Sequence, residues 1–172
     1  MRLPPEPETI ETEVMTLAAA AAAGGINVVD ISALAIGTVA PVAVKRVTAA
    51  GALSGTDETD ANALGGLATT ANGTVLARAE SMTVDVAVSA NGSGNVLLQA
   101  QNGAMAVNAG VSSGSGHISV LSSGTQTYGA AGDIATGSRL EVATTVRGTV
   151  DIEAGASITM DAGAEFATEG GN

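Results

Sequence analysis

Four short runs of this chain repeat one another at a nearly constant spacing, and that repeat constrains the fold more than any single motif. TVLARA at 74–79, NVLLQA at 95–100, HISVLS at 117–122 and RLEVAT at 139–144 place Val75, Val96, Ile118 and Leu140 at equivalent positions, 21, 22 and 22 residues apart. A fifth run, AEFATE at 164–169, matches LEVATT at 140–145 at a spacing of 24. Self-similarity at such a period marks stacked units, none of which can bury its apolar side alone.

Within these runs apolar residues alternate with polar ones. Val75, Ala77 and Ala79 face one way, as do Val96, Leu98 and Ala100, then Ile118, Val120 and Ser122, then Leu140, Val142 and Thr144. Arg78, Gln99, Ser119 and Glu141 face the other way, as the two-residue period of a strand requires. A second strand follows each first one. MTVDVAV, AMAVNAG and TVDIEAG turn Val84, Val86, Met105, Val107, Val150 and Ile152 inward and Asp85, Asn108, Asp151 and Glu153 outward. QTYGAAG is the remaining copy, its register open by one residue, and a third short strand passes through Val111, Ile134 and Ile158. Asn91-Gly92, Gly114, Gly116, Gly137 and Gly163 supply turns between them.

Three short strands per repeat predict an all-β fold, a right-handed parallel β-helix (β-solenoid) with rungs of about 22 residues. An antiparallel sandwich is the rival, but it needs no near-identical strands at a fixed repeat and normally has a more aromatic core. Here 45% of the residues are apolar, yet Tyr128 and Phe166 are the only aromatics. Ala, Val, Leu and Ile suit a narrow core with little room per layer. Disorder, which the Gly and Ser content would favour, is opposed by a charged fraction of only 13%.

The charge balance narrows the partners. Seventeen acidic residues against six Lys and Arg give a net charge of −11, which disfavours nucleic acid and anionic membrane surfaces. The absence of cysteine excludes disulfides and thiolate metal sites. Ile26 to Val44 is long enough to span a bilayer, but Asp30, Gly37 and Pro41 interrupt it, so no membrane insertion is expected. Glu6, Glu8, Glu11 and Glu13 against a lone Arg2 are the reverse of a basic signal-peptide start.

Three regions follow. Residues 1–25 are an acidic leader with an Ala-rich stretch. Pro4, Pro5 and Pro7 block a helix until about Thr9. Beyond it, early glutamates, six alanines and the Gly24-Gly25 stop predict a short N-terminal capping helix, with a flexible lead-in as the alternative. Residues 26–72 read as irregular β rungs, with Pro41 at an edge, bulge or turn and an acidic loop at Asp57, Glu58 and Asp60. Residues 73–172 read as regular solenoid rungs.

At GNVLLQAQNGAMAVNAG, SGSGHISVLSSGTQTYGAAGDI and GTVDIEAGASITMDAGAEF the chain resembles the repeats of large bacterial surface adhesins, the filamentous-haemagglutinin-like and autotransporter-like proteins with β-helical shafts. The resemblance covers about residues 73–172. It implies a structural, non-enzymatic role at the cell surface or outside the cell, with host or matrix glycans or surface proteins as partners, and with further rungs or like subunits stacked on this one. The stop at ATEGGN, soon after a fresh strand begins, suggests a piece of a longer repeat array.

Candidate chemistry is sparse. His117 is the sole histidine and, with Asp133 and a serine, would be needed for a catalytic triad, but it opens a strand just after SGSG, where polar residues meet solvent. Asp85, Asp151 and Glu153 should share a face if the second strands stack. Paired carboxylates there could act on a glycosidic bond, which makes a carbohydrate-active β-helix enzyme the alternative reading, though only Tyr128 is available to grip a sugar. Glu58, Asp60 and Asn62 have the opening spacing of a calcium loop, but Ala63 replaces its glycine. We therefore expect no catalytic, cofactor or metal residues. A third reading is a self-assembling filament subunit that uses the open edge at Glu165–Thr168.

Overall fold

The computed structural model describes residues 9–59, 62–141 and 144–169. The chain winds through six rungs. The first is β1 (Ile10–Thr12), β2 (Thr16–Leu17) and β3 (Ala19–Ala21). The second begins with β4 (Ile26–Asp30) and β5 (Ala33–Ile36), leaves the body through β6 (Thr38–Val39), β7 (Ala43–Val47), β8 (Leu53–Thr59) and β9 (Leu64–Gly65), and closes with β10 (Leu67–Thr69). Two regular rungs follow, β11 (Val75–Ala79), β12 (Ser81–Val84) and β13 (Val88–Ala90), then β14 (Val96–Ala100), β15 (Met105–Val107) and β16 (Val111–Ser113). The fifth is β17 (Ile118–Ser122), β18 (Gln126–Tyr128) and β19 (Ile134–Thr136). A hairpin of β20 (Ser138–Glu141) and β21 (Thr144–Arg147) precedes the last rung, β22 (Val150–Ala154), β23 (Ile158–Met160) and β24 (Phe166–Thr168).

Equivalent strands stack into three six-stranded parallel sheets. Sheet A is β1-β4-β11-β14-β17-β22, sheet B is β2-β5-β12-β15-β18-β23 and sheet C is β3-β10-β13-β16-β19-β24. This is the parallel β-helix that the repeat predicts. Val75 pairs with Val96 and Val96 with Ile118, the 21- and 22-residue spacings read from the sequence. Inward residues form columns: Ile26, Val75, Val96 and Ile118 in sheet A, Leu34, Met82 and Met105 in sheet B, and Leu67, Val88, Val111 and Ile134 in sheet C, all buried. Each fully buried Val, Leu or Ile contributes roughly 1.5–3 kcal/mol. Gln126 and Tyr128 take the inward places of sheet B beside Met105 and Val107, which fixes the register of the QTYGAAG copy.

Five expectations are corrected. The capping helix does not form: Ala19, Ala20 and Ala21 pair in parallel with Leu67, Ala68 and Thr69, so the first described rung is built of short strands. Alanine's helix preference is a fraction of a kcal/mol per residue, and tertiary pairing overrides it. RLEVAT is not a first strand. Residues 138–141 pair antiparallel with 144–147, and the partner of Ile118 is Val150, not Leu140. TVDIEA therefore belongs to sheet A rather than to the second strands, and Ile158 to sheet B rather than the third. Finally, AEFATE is no first strand but the edge of sheet C, where Phe166 pairs with Ile134.

Glycine is required where rungs approach closely. Gly66 has φ +69, and a Cβ there would strike the carbonyl oxygen of Ala87.

The hairpin β20–β21 explains why Ile118 and Val150 are 32 residues apart when Val96 and Ile118 are 22 apart. The N–H of Gly148 donates to the carbonyl of Gly137 at 3.1 Å, so the base of the hairpin is already closed. Deleting residues 138–147 and joining Gly137 to Gly148 should leave the solenoid folded, with a thermal midpoint within a few degrees of the parent. Loss of the cooperative melt would contradict this topology. Gly66→Ala, by contrast, should cost about 1–3 kcal/mol in a denaturant titration, from the positive φ and the close contact together.

Candidate functional site

Polar side chains inside the solenoid serve its corners. Asp30, buried at the end of β4, accepts from Thr12 Oγ1 at 2.7 Å and the Val14 N–H at 2.9 Å through Oδ2. Its Oδ1 accepts from the Ser32 N–H at 2.8 Å and Ser32 Oγ at 2.7 Å. Burial works to raise the carboxyl pKa, but these four hydrogen bonds to the charged form outweigh it and hold the group below its ordinary value of 3.8. One carboxylate thus ties the first rung to the second.

A second buried network lies in the fifth rung. Tyr128 Oη donates to Gln126 Oε1 at 2.7 Å, and Gln126 Nε2 donates to the carbonyls of Val120 at 3.0 Å and Glu153 at 2.6 Å. Burial pushes the Tyr128 phenol pKa well up, so the ring stays neutral and donates. Its ring meets Phe166 edge-on, with centroids 4.7 Å apart at 75°. At the corner between sheets C and A, Thr69 Oγ1, Ser113 Oγ and Thr136 Oγ1 donate to the carbonyls of Gly73, Gly94 and Gly116 at 2.6–2.7 Å. The buried carboxylate and the Gln–Tyr pair were not anticipated from the sequence; the inward phase of Gln126 beside Tyr128 was the available signal.

The outward candidates do not converge. His117 is exposed, its Nδ1 is 2.8 Å from Thr149 Oγ1, and its N–H donates to Asn95 Oδ1 at 2.8 Å. Asp133 immediately precedes β19, and its Oδ1 accepts from the Glu165 N–H at 2.9 Å. No triad is assembled from them. Asp85 follows β12 and accepts from Asn108 Nδ2 at 2.8 Å, whereas Asp151 and Glu153 lie on β22. The expectation that the three carboxylates share a face is thus corrected, because TVDIEA belongs to another sheet. Of the calcium-like spacing, Asp60 lies outside the described residues. Among the described residues there is no cluster of three metal-ligating side chains and no helix long and apolar enough to cross a membrane.

Hollows lie at the two ends. One of about 410 Å³ is lined by Val150, Ile152, Ile158, Phe166 and Thr168 of the last rung. The other, of about 510 Å³, is framed by Ile10, Leu17, Ala19, Ala21 and Val28 of the first two rungs.

No protein-family model, curated protein or solved structure matches the chain.

Asp30 and Tyr128 give opposite pH signatures. Asp30 is depressed, so its stabilisation is fully present above the unfolded carboxyl value and is lost as pH falls through the folded one. Asp30→Ala should cost about 2–3 kcal/mol near neutrality and flatten the acid limb of the stability curve. Tyr128 is raised, so its contribution is present below the unfolded phenol value near ~10 and is lost as pH rises. Tyr128→Phe strands the Gln126 amide oxygen and should cost about 1–3 kcal/mol, with a weakened alkaline limb. Urea titrations across pH check both.

Proposed function

We propose that the chain is a non-enzymatic structural segment of an exported β-solenoid, an adhesin shaft or surface scaffold that meets glycans or surface proteins along its outer ladders. One observation carries the reading. The three parallel sheets enclose a continuous apolar core, and the buried polar groups close corners and link rungs instead of gathering around a substrate-sized cleft. The resemblance of residues 73–172 to adhesin repeats supports the surface assignment. The mechanism is geometric: six rungs at the parallel-strand spacing of about 4.8 Å form a rod roughly 24 Å long, stiffened by backbone hydrogen bonds at every level. Sheets B and C present outward columns of Thr, Ala and Ser, and sheet A presents Leu76, Leu97 and Leu121 among polar and acidic side chains.

Antibody staining of the producing cells, intact and permeabilised, tests the assignment. Labelling of intact cells at a level close to that of permeabilised ones is expected. Signal only after permeabilisation would overturn it.

A further inference from the structure

We propose that the last rung docks onto the first rung of a second copy of this chain, head to tail, continuing all three sheets. Strands β22, β23 and β24 end sheets A, B and C on one side, and β1, β2 and β3 end the same sheets on the other. Among the described residues nothing pairs either outer edge. All pairings within the three sheets are parallel, so a copy displaced by one rung presents its free edge in the direction the first copy needs. The contact repeats the rung-on-rung interface already made five times inside the molecule.

The side chains match in kind and size. Ile10 belongs to the column of Val28, Ala77, Leu98, Val120 and Ile152, so the second copy's Ile10 falls on Ile152. By the same continuation Thr16 falls on Thr159 and Ala19 on Phe166. Ile158, Met160 and Phe166 are 46%, 42% and 36% exposed on the last rung, where the inward residues of the preceding rungs are buried. The opposite face offers the hollow floored by Ala19 and Ala21, with room for the large Phe166 ring over small residues.

Charge tunes the contact. Glu11 continues the column of Val29, Arg78, Gln99, Leu121 and Glu153, which sets two carboxylates one strand spacing apart at the junction. Asp151, Asp161, Glu165 and Glu169 lie on the last rung and Glu13 on the first, while Arg147 sits in β21, on the hairpin that precedes the last rung. Salt, which shortens the reach of this repulsion, therefore promotes the junction. The two faces differ, so the contact does not close on itself and generates filaments.

This inference stands apart from the surface assignment, since it concerns the purified chain alone. The protein lacks cysteine, and Thr16 and Thr159 are exposed. In the proposed register their Cα atoms lie about one strand spacing apart, roughly 4.8 Å and within disulfide reach. The double variant T16C/T159C, with the parent's circular dichroism, should give under mild oxidation a ladder of covalent multimers that lengthens with salt. Each single variant should give no covalent multimer, and the two mixed should stop at a covalent dimer. Adding E153Q should raise the multimer yield several-fold at low salt. Absence of multimers at high protein and salt concentration, or dimers from either single variant alone, would overturn the proposal; an unchanged yield with E153Q would overturn its register.

Discussion

The whole structure depends on in-register stacking of inward side chains between parallel rungs. A backbone ladder alone does not set register, because sliding by one residue keeps the hydrogen bonds and exchanges the two faces. The columns set it. Val75, Val96 and Ile118 can remain buried only above one another, and once they do, Ala77, Leu98 and Val120 follow two residues later. That geometry also explains the near absence of aromatic rings. Each rung contributes a thin layer, and its volume is shared among three sheets: the third rung, with Ala77, Ala79 and Ala90 inward, carries Met82 in sheet B, while the fifth places Tyr128 there beside Ser122 and Thr136.

A narrow core leaves little latitude for polar atoms, and those that enter it are engaged. The Asp30 carboxylate accepts four hydrogen bonds, and the Gln126 amide uses its oxygen toward Tyr128 and its nitrogen toward two carbonyls. Both networks cross between rungs, so each behaves as a staple where stacking is weakest: Asp30 beside the short first rung, and Gln126 beneath the last one, whose Val150 and Ile152 are only half-buried. Corner hydroxyls do the same work between sheets C and A.

The columns were legible in the sequence wherever rungs follow without insertion, since alternation and spacing then give the same answer. Legibility failed where the two signals agreed by coincidence. Leu140 stands 22 residues after Ile118 and alternates as Ile118 does, yet it lies on a hairpin that leaves the body and returns at Gly148. Nothing local separates a strand of the body from one arm of an inserted hairpin; the pairing partner decides it. One displaced rung then moved Asp151 and Glu153 onto the wrong sheet, and with them the idea of a shared carboxylate face. The alanines at 18–23 failed for a different reason. Alanine fits the inward place of a narrow solenoid as readily as a helix, and only the row of Leu67, Ala68 and Thr69 beneath it distinguishes the two.

The insertions also sort the charges. Lys45 and Arg46 lie in β7, Arg139 and Arg147 in β20–β21, so four of the six cations ride on excursions, and among the described residues Arg78 alone lies on the stacked rungs. The body that remains is acidic. Two such rods side by side repel along their whole length, although sheet A turns Val29, Leu76, Leu97 and Leu121 outward, each half-buried. The ends are different. There the repulsion is confined to the carboxylates of two rungs, while Ile158, Met160 and Phe166 are exposed and, among the described residues, the outer sheet edges are unpaired. Confined repulsion, exposed apolar side chains and unpaired strand edges coincide at the two ends, the combination a rod requires if it is to extend along its axis.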